Sequence, residues 1–132
     1  MENCIFCKIV KQEIPCHKVY EDSTFLSFLD MRPTNKGHVL VIPKKHYRWV
    51  WEVSENYSKP CNIVANALKK AFHTDYVVSY IRGEEVHHAH IHLVPRFPGD
   101  NQGALIDVKN TKTVSTEEMK SIAETIRRVI PT

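Results

Sequence analysis

The sequence predicts an α+β fold in which an antiparallel β-sheet of about five strands is packed with two helices. Five short segments are rich in β-branched, aromatic and apolar residues and are separated by turn-forming residues. Two longer segments carry apolar residues at helical spacing. Their order along the chain is strands, helix, strands, helix, which favours an antiparallel sheet over a repeated β-α-β array.

The strands are predicted from alternation and from the residues that bound them. Residues 19–30 (VYEDSTFLSFLD) predict a strand, a tight acidic turn and a second strand. A Pro- and Gly-containing loop over 31–37 leads into the nearly continuous apolar strand 38–43 (HVLVIP). Residues 76–81 (YVVSYI) predict a fourth strand, and residues 99–103 (GDNQG) predict a flexible loop.

Two helices are predicted from an apolar stripe with i, i+3, i+4 spacing. The first covers residues 59–72 and the second residues 115–129. Ser115 followed by Glu118 forms a capping-box signature at the start of the second helix. Residues 5–10 (IFCKIV) favour a short helix or a turn.

Composition indicates an ordinary globular protein with a single domain over residues 1–132. Apolar residues make up 42% of the chain and charged residues 25%, with a net charge of +3. This mild positive charge suits a phosphate-bearing small molecule and argues against nucleic acid as the partner. No apolar run approaches the roughly 20 residues that span a bilayer, and the N-terminus lacks the features of a signal peptide. We therefore expect a cytoplasmic protein with no membrane partner.

Residues 84–96 (EEVHHAHIHLVPR) contain four of the eight histidines in the chain. In an extended conformation, His88, His90 and His92 share one face, while the apolar residues between them share the other. Three interpretations of the imidazole face are open: chance solvation, a zinc triad, and nucleophilic or acid–base catalysis.

The four cysteines raise a related question. Cys4 and Cys7 have the spacing of metal ligands, but a tetrahedral site needs two further ligands, for which histidines are the obvious source. The alternative is that both are small buried apolar residues. Cys16 and Cys61 have no such spacing, and disulfides are not expected in a cytosolic chain.

The segment HAHIHLV (88–94) resembles the signature of the histidine-triad (HIT) superfamily. Residues 4–47 resemble the opening of the bacterial-type nucleotide-binding branch, and the PRFPGDNQG segment and capped C-terminal helix also fit. The resemblance implies hydrolysis or transfer at a nucleoside-linked phosphate through a covalent nucleotidyl-histidine. The substrate it implies is a purine nucleoside phosphoramidate or an adenylate.

The resemblance also implies roles for individual histidines. His90 is the expected nucleophile, His92 a phosphate ligand and His88 the residue that orients His90. His38 matches a fourth histidine that completes the hydrogen-bond network; the less favoured alternative is a satisfied core histidine. A neutral imidazole can attack phosphorus, and an unperturbed pKa of ~6.5 keeps it largely neutral at pH 7.

Relatives that carry zinc combine a Cys-x-x-Cys pair with a later histidine and the first triad histidine. The corresponding residues here are Cys4, Cys7, His46 and His88, which would form a closed structural site with one zinc per chain. His87 is the alternative fourth ligand.

Nucleotide-binding residues are likewise implied by the resemblance. Asp30 matches a ribose-binding carboxylate, which could instead cap the following loop. The residues in base-pocket positions could instead belong to the core; they are Phe6, Ile9, Phe28, Leu29 and Met31. A homodimer is also implied, and residues 49–53 and the 59–72 helix offer apolar surface for it.

The chain departs from the family pattern just before the triad. An Asn and a neutral polar segment are replaced by SYIRGEE, so Glu84 and Glu85 stand where neutral groups contact phosphate and leaving group. Two carboxylates would repel a phosphate unless they face solvent or Arg82 offsets them. Alternatives to the leading hypothesis are therefore a dinucleoside polyphosphate hydrolase and a nucleotide-binding module with little turnover.

Overall fold

The computed structural model describes residues 3–131 and is built on one antiparallel sheet of five strands in the order β1-β2-β3-β5-β4. The strands are β1 Lys18–Glu21, β2 Phe25–Leu29, β3 Val39–Pro43, β4 Val77–Tyr80 and β5 Ile91–Pro95. The helices are α1 Ile5–Val10, α2 Ser58–Phe72 and α3 Thr116–Arg128, with a 3₁₀ turn over Val50–Glu52. The predicted α+β class and strand number are confirmed. Both predicted helices are present, and α1 adds a short third one.

The core lies on both faces of the sheet, with β3 at its centre. Val39 and Val41 pack in the cluster formed with α2 and α3, whereas Leu40 and Ile42 pack in the cluster that contains α1. A strand that is covered on both faces needs apolar residues at every position, so apolar and polar residues do not alternate along it. This explains the continuous apolar run that marked β3 in the sequence.

The predicted start of α3 is confirmed by its cap. Ser115 Oγ accepts a hydrogen bond from the backbone N–H of Glu118 at 3.1 Å. The Glu118 carboxylate forms an ion pair with Lys36 Nζ at 2.5 Å, which ties the start of α3 to the loop before β3.

The histidine segment is less regular than its alternation predicts. Regular pairing covers only Ile91–Pro95, so His88 and His90 precede the strand. Pairing with β3 stops at Val41 and Ile91, and pairing with β4 stops at Tyr80 and His92, so the earlier residues have no ladder partner. Instead, the N–H of Ala89 donates to the carbonyl of Tyr47 at 2.7 Å. His92 pairs across the sheet with Leu40, which puts its side chain on the α1 side.

The loop over residues 99–103 was predicted to be flexible, and that prediction is wrong for its central part. Asp100 accepts hydrogen bonds from Arg96 Nε at 2.8 Å and from Asn35 Nδ2 at 2.9 Å. Both members of the Arg96–Asp100 ion pair are largely buried, and Gln102 is only 3% exposed. Polar residues here serve as internal hydrogen-bond partners.

Within residues 3–131, none of the helices combines the length and apolarity required to cross a membrane.

Candidate functional site

The candidate site forms where three neighbouring strands of the sheet meet. Asp30 directly follows β2, His38 directly precedes β3, and His92 is the second residue of β5. The N–H of Asp30 donates to the carbonyl of His38 at 2.9 Å, so the two residues are held side by side. Oxygen and nitrogen atoms of Asp30, His38 and His92 lie within 4.8 Å of one another.

Hydrogen bonds fix which ring nitrogen carries the proton on His38 and His92. The backbone N–H of Thr34 donates to His38 Nδ1 at 3.0 Å, so this nitrogen is an acceptor and the proton lies on Nε2. His38 Nε2 then donates to His92 Nδ1 at 2.9 Å. The remaining proton of His92 lies on Nε2, which makes that atom a hydrogen-bond donor.

His90 has the opposite tautomer. Its Nδ1–H donates to the carbonyl of His88 at 2.7 Å, which leaves Nε2 with a free lone pair. The His90 and His92 ring centroids are 5.0 Å apart. A lone pair on one imidazole and an N–H on its neighbour are the groups that nucleophilic attack and oxyanion stabilisation require.

Burial keeps these imidazoles neutral. It lowers the pKa of His92 to about 2 and that of His38 to about 3. Burial also lowers the pKa of His90 below its ordinary value, although the His88 carbonyl and the Asp30 carboxylate oppose the shift. In addition, Tyr80 stacks on His92 with ring centroids 4.3 Å apart, which holds the ring in place.

An apolar pocket of about 270 Å³ opens beside His90 and His92. Its walls include all five residues predicted for the base pocket, namely Phe6, Ile9, Phe28, Leu29 and Met31. Four of them are largely buried and expose only an edge to the pocket, whereas Met31 is 65% exposed. The four buried residues therefore belong to the core and Met31 to its rim, and all five also line the pocket.

Asp30 lines the same pocket. Its Oδ1 accepts from the N–H of Arg32 at 2.9 Å, which is a loop-capping bond, while Oδ2 lies 3.5 Å from His38 Nε2. Burial raises the pKa of this carboxyl group. Because Oδ1 is engaged by the N–H of Arg32, Oδ2 is the oxygen left to accept a hydrogen bond from a ligand.

The two cysteines and two histidines predicted as metal ligands lie together. Cys4 Sγ is 3.3 Å from His88 Nδ1, and Cys7 Sγ is 3.3 Å from His46 Nδ1. A tetrahedral zinc site separates its ligand atoms by roughly 3.3–3.8 Å, given its bond lengths. His88 Nε2–H donates to the Pro43 carbonyl at 2.8 Å, so the Nδ1 lone pair is left for a metal.

The chemistry of the cluster also suits a metal cation. Burial raises the pKa of the Cys7 thiol to about 11, so its thiolate requires a neighbouring positive charge at neutral pH. The alternative ligand His87 is exposed and is not part of this four-residue group. The donor set therefore fits zinc.

Glu84 and Glu85 line the apolar pocket but do not stand alone. Arg82 pairs with Glu84 at 2.9 Å and with Glu85 at 3.2 Å, and Arg32 pairs with Glu85 at 3.1 Å. Gly83, which lies between Arg82 and Glu84 in the chain, has φ +68°, and a Cβ there would overlap the ring of Trp49. The two carboxylates are thus offset by arginines on a turn that Trp49 holds in position.

A polar network behind His38 was missed by the sequence reasoning. Gln102 Nε2 donates to the Thr34 carbonyl at 2.6 Å, and Lys112 Nζ donates to the same oxygen at 2.9 Å. These bonds hold the backbone of Thr34, whose N–H contacts His38 Nδ1. No sequence periodicity indicates Gln102 or Lys112, because the side chain of each bonds to a backbone carbonyl that is far away in the sequence.

The sheet, the alternating histidines and the adjacent apolar pocket define a histidine-triad protein. The chain matches the HIT domain family model over residues 11–99 and belongs to the HIT family. Proteins of this family are nucleotide hydrolases and nucleotidyl transferases.

Individual relatives are similar over nearly the whole chain. An uncharacterized HIT-like protein of Methanocaldococcus jannaschii is 40% identical, with coverage of 88% of this chain and 95% of the relative. The adenosine 5′-monophosphoramidase hnt1 of Schizosaccharomyces pombe is 38% identical, with coverage of 94% and 96%. A zinc-bound histidine triad family protein from Mycobacterium smegmatis superposes with a TM-score of 0.73 at 28% identity, covering 96% and 92% of the two chains.

Proposed function

We propose that this protein hydrolyses the bond between a nucleoside 5′-monophosphoryl group and its leaving group, through a covalent nucleotidyl intermediate on His90. The observation that carries the proposal is the pair of opposite tautomers. His90 Nε2 has a free lone pair, and the neighbouring His92 Nε2 carries a proton. One phosphate can therefore meet a nucleophile and a donor at once.

The reaction proceeds in two displacements. The His90 Nε2 lone pair attacks phosphorus, and the bond to the leaving group breaks with its electron pair on the departing atom. His92 Nε2–H donates to a phosphoryl oxygen and stabilises the developing charge. Water then attacks phosphorus, the N–P bond breaks with its electron pair returning to His90, and the proton that water loses passes to solvent. A departing amine takes up one proton from solvent in the first step, so the protons balance. His88 orients His90 through its backbone carbonyl.

Nucleotide recognition is assigned to the apolar pocket and Asp30. The pocket accepts the base against Phe6, Ile9, Phe28, Leu29 and Met31. Asp30 accepts hydrogen bonds from the two ribose hydroxyls through Oδ2. His38 acts behind His92, where it holds the tautomer that presents Nε2–H.

The leading substrate class is purine nucleoside phosphoramidates and similar adenylates. The relative named adenosine 5′-monophosphoramidase supports this choice. The test is AMP release from adenosine 5′-phosphoramidate, with His90→Ala as the control. AMP release by the parent but not by the variant supports the proposal, and absence of turnover on every nucleotide substrate leaves a nucleotide-binding module.

A second candidate is a dinucleoside polyphosphate hydrolase. The arginines paired with Glu85 beside the pocket favour it, since a polyphosphate chain needs cations close to the scissile bond. Comparison of kcat/KM between adenosine 5′-phosphoramidate and diadenosine polyphosphates distinguishes the two substrate classes.

Zinc is assigned to Cys4, Cys7, His46 and His88, one ion per chain. The ion would serve as a structural clamp between α1, the segment after β3 and the triad segment. The lone-pair direction of His88 and the 3.3 Å distances from Cys4 Sγ to His88 Nδ1 and from Cys7 Sγ to His46 Nδ1 support the assignment.

A homodimer is assigned to the edge of the sheet. β4 is an edge strand, and Tyr76 and Ile81 at its two ends are 50% and 37% exposed. An unpaired antiparallel edge can extend across a two-fold axis into a continuous sheet. A cytoplasmic location remains the prediction from sequence.

A further inference from the structure

A second cavity adjoins the apolar pocket and has a different character. Its volume is about 460 Å³. It shares a boundary of five residues with the apolar pocket, which are Asp30, Arg32, Arg82, Glu85 and His92. Beyond that boundary its lining includes hydroxyl groups and a third cation, with Thr34, Tyr80, Lys109 and Thr111 among them. We call it the polar cavity.

The position of His92 relates the two cavities to the proposed reaction. A nucleoside in the apolar pocket places its phosphate at His90 and His92, the latter of which also lines the polar cavity. In-line displacement requires the leaving group to point away from His90. The polar cavity is the space beyond His92 that such a group can enter.

The cations at this boundary already hold a carboxylate. Glu85 accepts from Arg32 Nη2 at 3.1 Å through Oε2 and from Arg82 Nη1 at 3.2 Å through Oε1. The bridge joins the loop after β2 to the turn before the triad, and its three residues line both cavities. An anion shared by two guanidinium groups occupies the position in which a phosphate or sulfate would be recognised.

The bridge is easily opened. The side chains of Arg32 and Glu85 are 79% and 58% exposed, and ion pairs at such exposure contribute little to stability. A ligand with its own negative oxygens can therefore displace Glu85 and take over both guanidinium groups without a large cost to the fold.

We propose that Arg32 and Arg82 form a subsite for a negatively charged leaving group, such as a phosphate, a sulfate or a second nucleotide, and that Glu85 is the internal carboxylate this group displaces. The inference rests on the proposed function and narrows its substrate class, from phosphoramidates and adenylates together to the adenylates that carry a charged leaving group. A neutral leaving group such as ammonia gains nothing from the two arginines.

The chemistry of departure agrees with this assignment. When His90 attacks phosphorus, the P–O bond to a phosphate or sulfate breaks and its electron pair leaves on that oxygen. Such a group departs as a stable anion and needs no proton, whereas an amine must be protonated. In the second step water attacks phosphorus, the N–P electron pair returns to His90, and the proton that water loses passes to solvent.

The test compares the affinities of ADP and AMP by titration calorimetry, because the β-phosphate of ADP stands for a charged leaving group. Arg82→Gln should weaken ADP binding by about tenfold and change AMP binding by less than about twofold, since only the β-phosphate loses its charged partner. Glu85→Gln should strengthen ADP binding by roughly threefold or more, because the competing charge is removed.

The matched controls come from an exposed ion pair on α3. Arg128 and Glu124 lie 3.4 Å apart and line neither cavity. Arg128→Gln and Glu124→Gln make the same charge changes and should leave the ADP-to-AMP affinity ratio unaltered. The same variants should shift kcat/KM for adenosine 5′-phosphosulfate relative to adenosine 5′-phosphoramidate in the same directions.

An ADP-to-AMP affinity ratio that is unchanged in both Arg82→Gln and Glu85→Gln overturns the subsite, as does a parent that binds neither nucleotide. A parent that shows the predicted binding pattern but turns over neither adenylate retains the subsite and overturns the hydrolase.

Discussion

Replacement of Gln102 by Ala tests the network that holds His38. Gln102 is 3% exposed and makes three hydrogen bonds: Nε2 donates to the carbonyls of Thr34 and Asn110, and Oε1 accepts from the N–H of Asp107 at 2.9 Å. Each bond contributes about 1 kcal/mol net, and buried groups left unpaired cost more. We expect the free energy of unfolding in urea to fall by about 2–4 kcal/mol.

The same substitution should alter the pH dependence of activity. Burial holds the pKa of His38 near 3, and the Thr34 N–H occupies its Nδ1. A looser Thr34 backbone admits water and frees that nitrogen, so the pKa of His38 rises toward its ordinary value. Since protonated His38 can no longer accept from the Thr34 N–H, its ring loses the contact that fixes it behind His92 as pH falls through that pKa. The acid limb of kcat/KM should therefore move to higher pH in Gln102→Ala.

A suitable control is Asn110→Ala, which removes one hydrogen bond of the same loop, from Asn110 Nδ2 to the Asn101 carbonyl at 2.9 Å. It should destabilise the fold by about 1 kcal/mol or less and leave the acid limb in place. A Gln102→Ala variant that is destabilised but has the parental acid limb would refute the positioning role of the network.

Three further outcomes are expected. Protein purified without added metal should contain about one zinc per chain, and Cys7→Ser should lose it; less than a tenth of an equivalent in the parent, with all four thiols reactive, excludes the site. Asp30→Ala should weaken nucleotide binding at least about tenfold while 2′,3′-dideoxy analogues bind both proteins alike, because hydrogen bonds to a charged group are lost; a parent indifferent to the ribose hydroxyls excludes that role. Light scattering at micromolar concentration should give the mass of two chains; the mass of one contradicts the dimer.

Local patterns in the sequence were sufficient to predict the elements of the fold. The stripe over residues 59–72 and the cap at Ser115 describe short-range interactions, and both are present in α2 and α3. β3 was recognisable because both its faces are covered and its apolar run is continuous. The extent of the histidine strand was not predictable, since it depends on where its pairing with β3 and β4 stops.

The candidate site was predictable where residue type alone indicates chemistry, as in the histidine alternation and the Cys4–Cys7 spacing. The tautomers were not, because they depend on carbonyl and amide partners such as Thr34 N–H. The Arg32–Glu85 bridge joins residues 53 positions apart, so no local pattern could reveal it. Arg82 was foreseen as a residue that could offset Glu85, whereas the pairing of Glu85 with Arg32 was not.

The most direct test of the central claim is the fate of the nucleotidyl group on His90. During turnover of an adenylate labelled at the α-phosphorus, rapid acid-free quenching of the parent should trap label on His90, in a linkage that acid releases. His90→Asn keeps a polar side chain without a basic nitrogen, so it should form no adduct and lose at least about 10³-fold in kcat while AMP affinity stays within a few-fold. Label on another residue, or a His90→Asn variant that retains a large part of the parental rate, would contradict the account.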